Sequence, residues 1–167
     1  MKPLIVCYSL TGNTMKICES LASSIGADLV RLYEVPDRSI FSAYTFGCLK
    51  AIKKKGSNIL PIEADISEYD TIIVAGPVWA NNPAPALYSF IRQYDLSGKV
   101  AYGVLSCLSD KLDAAKALRD ELGNAETDCK SIITIKTDKT KLLEIKKDLM
   151  HFNIDENGKL TLEKIDK

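Results

Sequence analysis

Five short apolar runs punctuate the chain, and each is followed by a stretch whose apolar residues recur every three or four positions. Leu4-Ile5-Val6-Cys7-Tyr8 reads as a buried strand, because a strand covered on both faces shows a continuous run and no alternation. Met15, Ile17, Cys18, Leu21, Ala22 and Ile25 then fall at helical spacing, with Gly26 placed to stop the helix. The rhythm continues with a strand over 28–33 and a helix over 40–55, then a strand over 70–76, the most apolar of all. A Pro- and Asn-containing loop over 77–85 leads into a helix over 86–93. Strands over 99–106 and 130–136 follow, one leading to a helix over 111–122 closed by Gly123, the other to a helix over 140–151. Lys53-Lys54-Lys55, before Gly56, suits a solvated helix end, where cations complement the dipole.

Strands alternating with helices imply parallel pairing, right-handed crossovers and helices on both sheet faces. The expected architecture is therefore α/β: a doubly wound, five-stranded parallel sheet in a three-layer α/β/α sandwich spanning 1–152. Residues 153–167 break the rhythm. Ile154, Leu160 and Leu162 flank Asn157-Gly158, a favoured two-residue turn, so a tail or small hairpin appended to the domain is expected.

Composition narrows the function. The chain has 167 residues, 46% of them apolar, and 22 Lys plus Arg stand against 22 Asp plus Glu. That length suits one domain with a sizeable core. High hydrophobicity without net charge excludes disorder, and neutrality argues against nucleic acid, which calls for a basic field. No apolar run reaches the roughly 18–20 residues of a membrane span, and no secretory h-region is visible. The five cysteines (7, 18, 48, 107 and 129) are odd in number and widely spaced, without Cys-x-x-Cys. A disulfide framework or zinc site is not expected, and a cytoplasmic location is. With His151 as the single histidine, no catalytic side chain or metal ligand set is assigned. Small molecules and proteins remain as partners.

In a doubly wound sheet, ligands bind beyond the carboxyl ends of the strands. The segment there after the first strand is Ser9-Leu10-Thr11-Gly12-Asn13-Thr14. It offers hydroxyls, an amide, a pliant glycine and the free N–H groups of a helix start: uncharged donors for an anion. One N-cap requires one such residue, and five polar or glycine positions crowd into six. Rival loops fail on spacing. The Walker lysine and second glycine are absent, and only Gly12 of a Gly-x-Gly-x-x-Gly fingerprint is present. A phosphatase Cys-x5-Arg loop from Cys7 would place arginine where Asn13 stands.

The motif Ser-x-Thr-Gly-Asn-Thr directly after the first strand resembles that of the flavodoxin family, in which it wraps the phosphate of flavin mononucleotide (FMN). The resemblance implies strand order 2-1-3-4-5 and two further flavin loops. Gly76-Pro77-Val78-Trp79-Ala80-Asn81-Asn82 is similar to a Gly-x-Pro-x-Trp segment that borders the flavin ring in one branch of the family. Trp79, the single tryptophan, would supply an aromatic face. Asn81 and Asn82 stand where the family often has a glycine that lets a peptide flip. The third loop, Ser106-Cys107-Leu108-Ser109, departs from the family in lacking glycine and aromatic residues, and Asp110 is read as the N-cap of the next helix. Cys107 is read as a buried structural thiol.

The resemblance implies an FMN protein acting in electron transfer with a partner protein or small acceptor, as monomer or homodimer. Two alternatives stay open: an FMN-dependent NAD(P)H:quinone-type oxidoreductase, and a cofactor-less module for protein interaction. Shuttling flavodoxins are commonly acidic, and the neutral balance departs from that pattern.

Overall fold

The computed structural model describes residues 3–36, 39, 42–108, 112–137, 150–154 and 159–164. Strand β1 (Leu4–Tyr8) runs up the middle of the sheet and leads to helix α1 (Asn13–Ile25), which ends as Gly26 takes a left-handed conformation and its N–H reaches the Ala22 carbonyl. Strand β2 (Asp28–Leu32) returns beside β1, with Leu4 opposite Asp28 and Tyr8 opposite Leu32. Next come a π-wound turn (Ala43–Gly47), the short helix α2 (Cys48–Ile52) and a 3₁₀ turn (Ile66–Glu68). Strand β3 (Thr71–Trp79) pairs with β1 on its other side. It is followed by β4 (Asn82–Pro83) and α3 (Pro85–Gln93), with proline at the first helical position, where its missing N–H costs nothing. Then β5 (Val100–Cys107), α4 (Leu112–Asn124) and β6 (Asp128–Lys136) complete the main sheet.

The strand order is β2-β1-β3-β5-β6, all parallel, with β4 pairing antiparallel to β3 off that path. The expected count of five strands missed the two-residue β4, so the sheet has six. Alternate residues of β1, β3 and β5 feed two cores. Leu4, Val6, Ile72 and Val74 pack on one face with Leu87 and Phe90 of α3 and Leu118 and Leu122 of α4. Ile5, Cys7, Ile73 and Val104 pack on the other with Ile17, Cys18 and Leu21 of α1. All of these are fully buried, which is why the strands read as continuous apolar runs. Glu121 of α4 makes a two-pronged ion pair with Arg92 of α3, at 2.5 and 2.9 Å, tying those helices together.

Four expectations need correction. Strand β3 runs three residues past Gly76, through Trp79. The second helical stretch is π-wound over 43–47 and ends at Ile52, so the exposed lysines 53–55 lie just beyond it. Gly123 lies inside α4; the left-handed residue after that helix is Glu126, at φ 56°. A helix to His151 fails at its end, because Met150–Ile154 is strand β7, paired antiparallel with β8 (Leu160–Lys164). The rest of that helix, and the Asn157-Gly158 turn, lie outside the described residues. The hairpin packs against the α1 side: Leu160 is fully buried there, and its N–H donates to Ser131 Oγ at 3.0 Å. Among the described residues, no helix is long and apolar enough to cross a membrane.

Candidate functional site

Parallel register brings the carboxyl ends of β1, β3 and β5 to one edge, with Cys7 opposite Ala75 and Pro77 opposite Ser106. Two side-chain contacts tie the segments that leave this edge. Thr14 Oγ1 lies 2.7 Å from Ser106 Oγ, joining the first turn of α1 to the end of β5; both residues are buried. The rings of Tyr8 and Trp79 meet edge to face, 5.7 Å between centroids and 79° between planes, joining the end of β1 to the end of β3. Tyr8 is itself anchored: its hydroxyl donates to the buried Glu34 Oε2 at 2.5 Å.

The first loop leaves β1 through buried Ser9 and half-buried Leu10. Gly12 is the N-cap residue of α1 at φ 85°, and a Cβ added there would meet nothing within 4 Å. Left-handed backbone explains the glycine, and the space over it is open. Among the described residues no side chain caps α1, and its first turn carries no acid. The early N–H groups of the helix are thus left to face an incoming acceptor. Thr11 is exposed and accepts a hydrogen bond from Asn13 Nδ2 at 3.0 Å.

The loop is less neutral than the sequence implies. Arg31, which the β1–β2 register sets opposite Cys7, donates from Nη2 to the Ser9 carbonyl at 2.9 Å. Its guanidinium also stacks on the Tyr33 ring, 5.1 Å from the centroid. An arginine near the end of a second strand carries no signal of its own; only the parallel pairing of that strand with β1 brings it here.

The second segment is a tight hairpin and not an open loop. Val78 pairs with Pro83 and Trp79 with Asn82 across Ala80-Asn81, whose φ values of 46° and 62° are those of a primed two-residue turn. Of the two asparagines that stand where the family often has a glycine, Asn81 takes positive φ, which Asn tolerates better than most residues. Asn82 lies in β4 and donates from Nδ2 to the Ala80 carbonyl at 3.1 Å. The Ala84 N–H closes on the Pro77 carbonyl at 3.1 Å. Pro77, Val78, Trp79 and Asn82 are half-buried, and Ala80 and Asn81 are exposed. Gly76 packs closely: a Cβ there would come within 2.7 Å of Leu87 Cδ1, so that buried side chain would have to shift.

In the third segment Ser106 is committed to Thr14. Cys107 is buried, its thiol 3.8 Å from the Ile135 carbonyl, while its own carbonyl accepts from the Thr137 N–H (2.7 Å) and hydroxyl (3.2 Å). Leu108 is half exposed, and Ser109 and Asp110 lie outside the described residues. Beneath the site, the hydrogen bond that the Cys18 thiol donates to Cys7, then burial, pushes that thiol well above its ordinary pKa, so it stays protonated. Among the described residues, no group of metal-ligating side chains occurs. Two hollows of about 450 and 370 Å³ share Tyr94, Asp95 and Ser97, before the amino end of β5 and so away from this edge.

No family model matches the chain, and neither does any curated protein. Solved structures do. A protein from Bacteroides eggerthii DSM 20697, named as a candidate flavoprotein, superposes with a TM-score of 0.71 at 18% identity, covering 85% of this chain and 93% of its own. A flavoprotein from Lactobacillus acidophilus NCFM, solved in complex with FMN, gives 0.62 at 21% identity, over 86% of this chain and 97% of that one. Oxidised flavodoxin 2 from Bacillus cereus gives 0.52 at 16% identity, over 86% and 91%. Sheet order and these likenesses agree: the chain has the flavodoxin-like fold.

Proposed function

We propose that this chain binds FMN at the carboxyl edge of the sheet and acts in electron transfer. The observation that carries the reading is the uncapped start of α1, opened by left-handed Gly12 and tied to Ser106 through Thr14, at the same sheet edge where Tyr8 meets Trp79. The donor set fits a phosphate monoester: helix N–H groups, the Thr11 hydroxyl and the Asn13 amide, with open space above Gly12. Ser9, Leu10, Thr11, Gly12, Asn13 and Thr14 would cradle the phosphate. Pro77 to Asn82 would border the ring, with Trp79 giving it an aromatic wall, and Ser106 to Leu108 would close the far side; Ser109, expected with them, lies outside the described residues. When bound, FMN supplies one- and two-electron redox chemistry. The protein's part is to anchor the phosphate, hold the ring and exclude water from one face. The likeness to a flavoprotein solved with FMN supports this reading.

The test is titration of purified protein with FMN, followed by fluorescence quenching and visible absorbance. Stoichiometric quenching at micromolar concentration is expected. Absence of binding would favour a cofactor-less interaction module.

A second reading rests on charge. With 22 cationic and 22 anionic side chains, the chain lacks the net field that steers a shuttle onto an oppositely charged partner. An NAD(P)H:quinone-type oxidoreductase has no such requirement. Rapid NADPH oxidation by FMN-loaded protein with a quinone acceptor would decide for it.

A further inference from the structure

Arg31 stands outside the motif that suggests the phosphate loop, yet its guanidinium holds that loop by a hydrogen bond of 2.9 Å to the Ser9 carbonyl. The Tyr33 ring, 5.1 Å away, braces the guanidinium from the side. From Ser9 to Gly12 the chain spans at most about 11 Å, well inside the Debye length of about 30 Å at 0.01 M salt and just beyond the roughly 8–10 Å of physiological salt. At low salt a fixed positive charge therefore lies within electrostatic reach of an anion seated over Gly12 and the start of α1. We infer that Arg31 is a positioning residue that gives the site its preference for a phosphorylated flavin over the unphosphorylated one. The inference rests on the FMN reading above.

The physical case is that Arg31 does two separable things. Its N–H fixes the backbone at Ser9, a role that any donor of suitable length can fill. Its charge favours a phosphate monoester, which carries about −1.5 to −2 at neutral pH. Riboflavin differs from FMN by lacking that phosphate and gains nothing from the charge. Arg31→Gln removes the charge and keeps an amide donor about two atoms shorter than the guanidinium, so that any loss of the Ser9 bond strikes both flavins alike; Arg31→Lys keeps the charge and loses the planar fork.

The experiment measures the Kd of FMN and of riboflavin for wild type, Arg31→Gln and Arg31→Lys, at low and at physiological salt. Arg31→Gln should weaken FMN about tenfold at low salt, leave riboflavin within about twofold and flatten the salt dependence of FMN binding. Arg31→Lys should stay within about threefold of wild type for FMN. An equal loss of both ligands in Arg31→Gln would mean a purely structural role, and an unchanged FMN affinity would mean no role; either overturns the assignment while the FMN site stands. Wild-type protein that binds neither flavin would overturn the FMN reading itself, and this inference with it. Melting curves of the three proteins check that each is folded.

Discussion

Thr14 and Ser106 lie 92 positions apart in sequence, and their hydroxyl oxygens lie 2.7 Å apart in a buried contact. Each satisfies the other, so removing one leaves a buried hydroxyl without its partner. Thr14→Val or Ser106→Ala should each cost about 1–3 kcal/mol in urea unfolding. The double substitution should cost less than the sum, because no orphan remains. Additive losses would show that the pair is not coupled.

Thr11 and Asn13 bond to each other at 3.0 Å near the protein surface, away from the core. Thr11→Val combined with Asn13→Leu should therefore leave unfolding within about 0.5 kcal/mol of wild type. Hydrogen bonds to a charged acceptor contribute about 1.5–3 kcal/mol each, so the same change should weaken FMN at least tenfold. Unchanged affinity would place the phosphate elsewhere.

Ala80 sits at φ 46°, in the left-handed region that a side chain disfavours. Ala80→Gly should relieve this and raise stability by up to about 1 kcal/mol, after the entropy that glycine loses on folding. Ala80→Val, branched at Cβ, should lower stability by more than about 1 kcal/mol. Urea midpoints for the two variants, moving in opposite directions, are the expected result.

Tyr88 is buried and, among the described residues, its hydroxyl has no hydrogen-bond partner; burial pushes its pKa up to about 12. A raised folded-state value means that the folded protein holds the proton more tightly. Its contribution to stability is therefore complete below the ordinary tyrosine pKa near 10 and is lost as pH rises from there toward 12. Tyr88→Phe keeps the ring beneath Arg92, 5.1 Å from the guanidinium, and removes the orphan hydroxyl. It should be neutral or stabilising by about 1 kcal/mol at pH 7, with an advantage that widens between pH 10 and 12. Unfolding midpoints at pH 7 and pH 11 check both the sign and the window.

Much of this architecture is legible without coordinates, for a physical reason. β1, β3 and β5 are covered on both faces, so they must be continuously apolar, and the helices between them must keep one apolar stripe. Other features depend on pairing or on local exceptions. The β3–β4 hairpin turns on Ala-Asn, which is not a turn signature; Asn-Gly would have announced it. Gly123 suggests a stop that the helix ignores, because α4 continues to Asn124 and Glu126 takes the left-handed position. Arg31 reaches the candidate site through strand register, which no local pattern encodes.

The β7–β8 hairpin bears on the order of events during synthesis. Leu160 fills a place in the core between α1 and the sheet, and a side chain of that kind contributes about 1.5–3 kcal/mol on burial. A nascent chain in which β1 through β6 are already formed still presents an open apolar seam until residue 160 emerges. Vectorial growth therefore makes the place that Leu160 fills one of the last parts of the core to be closed.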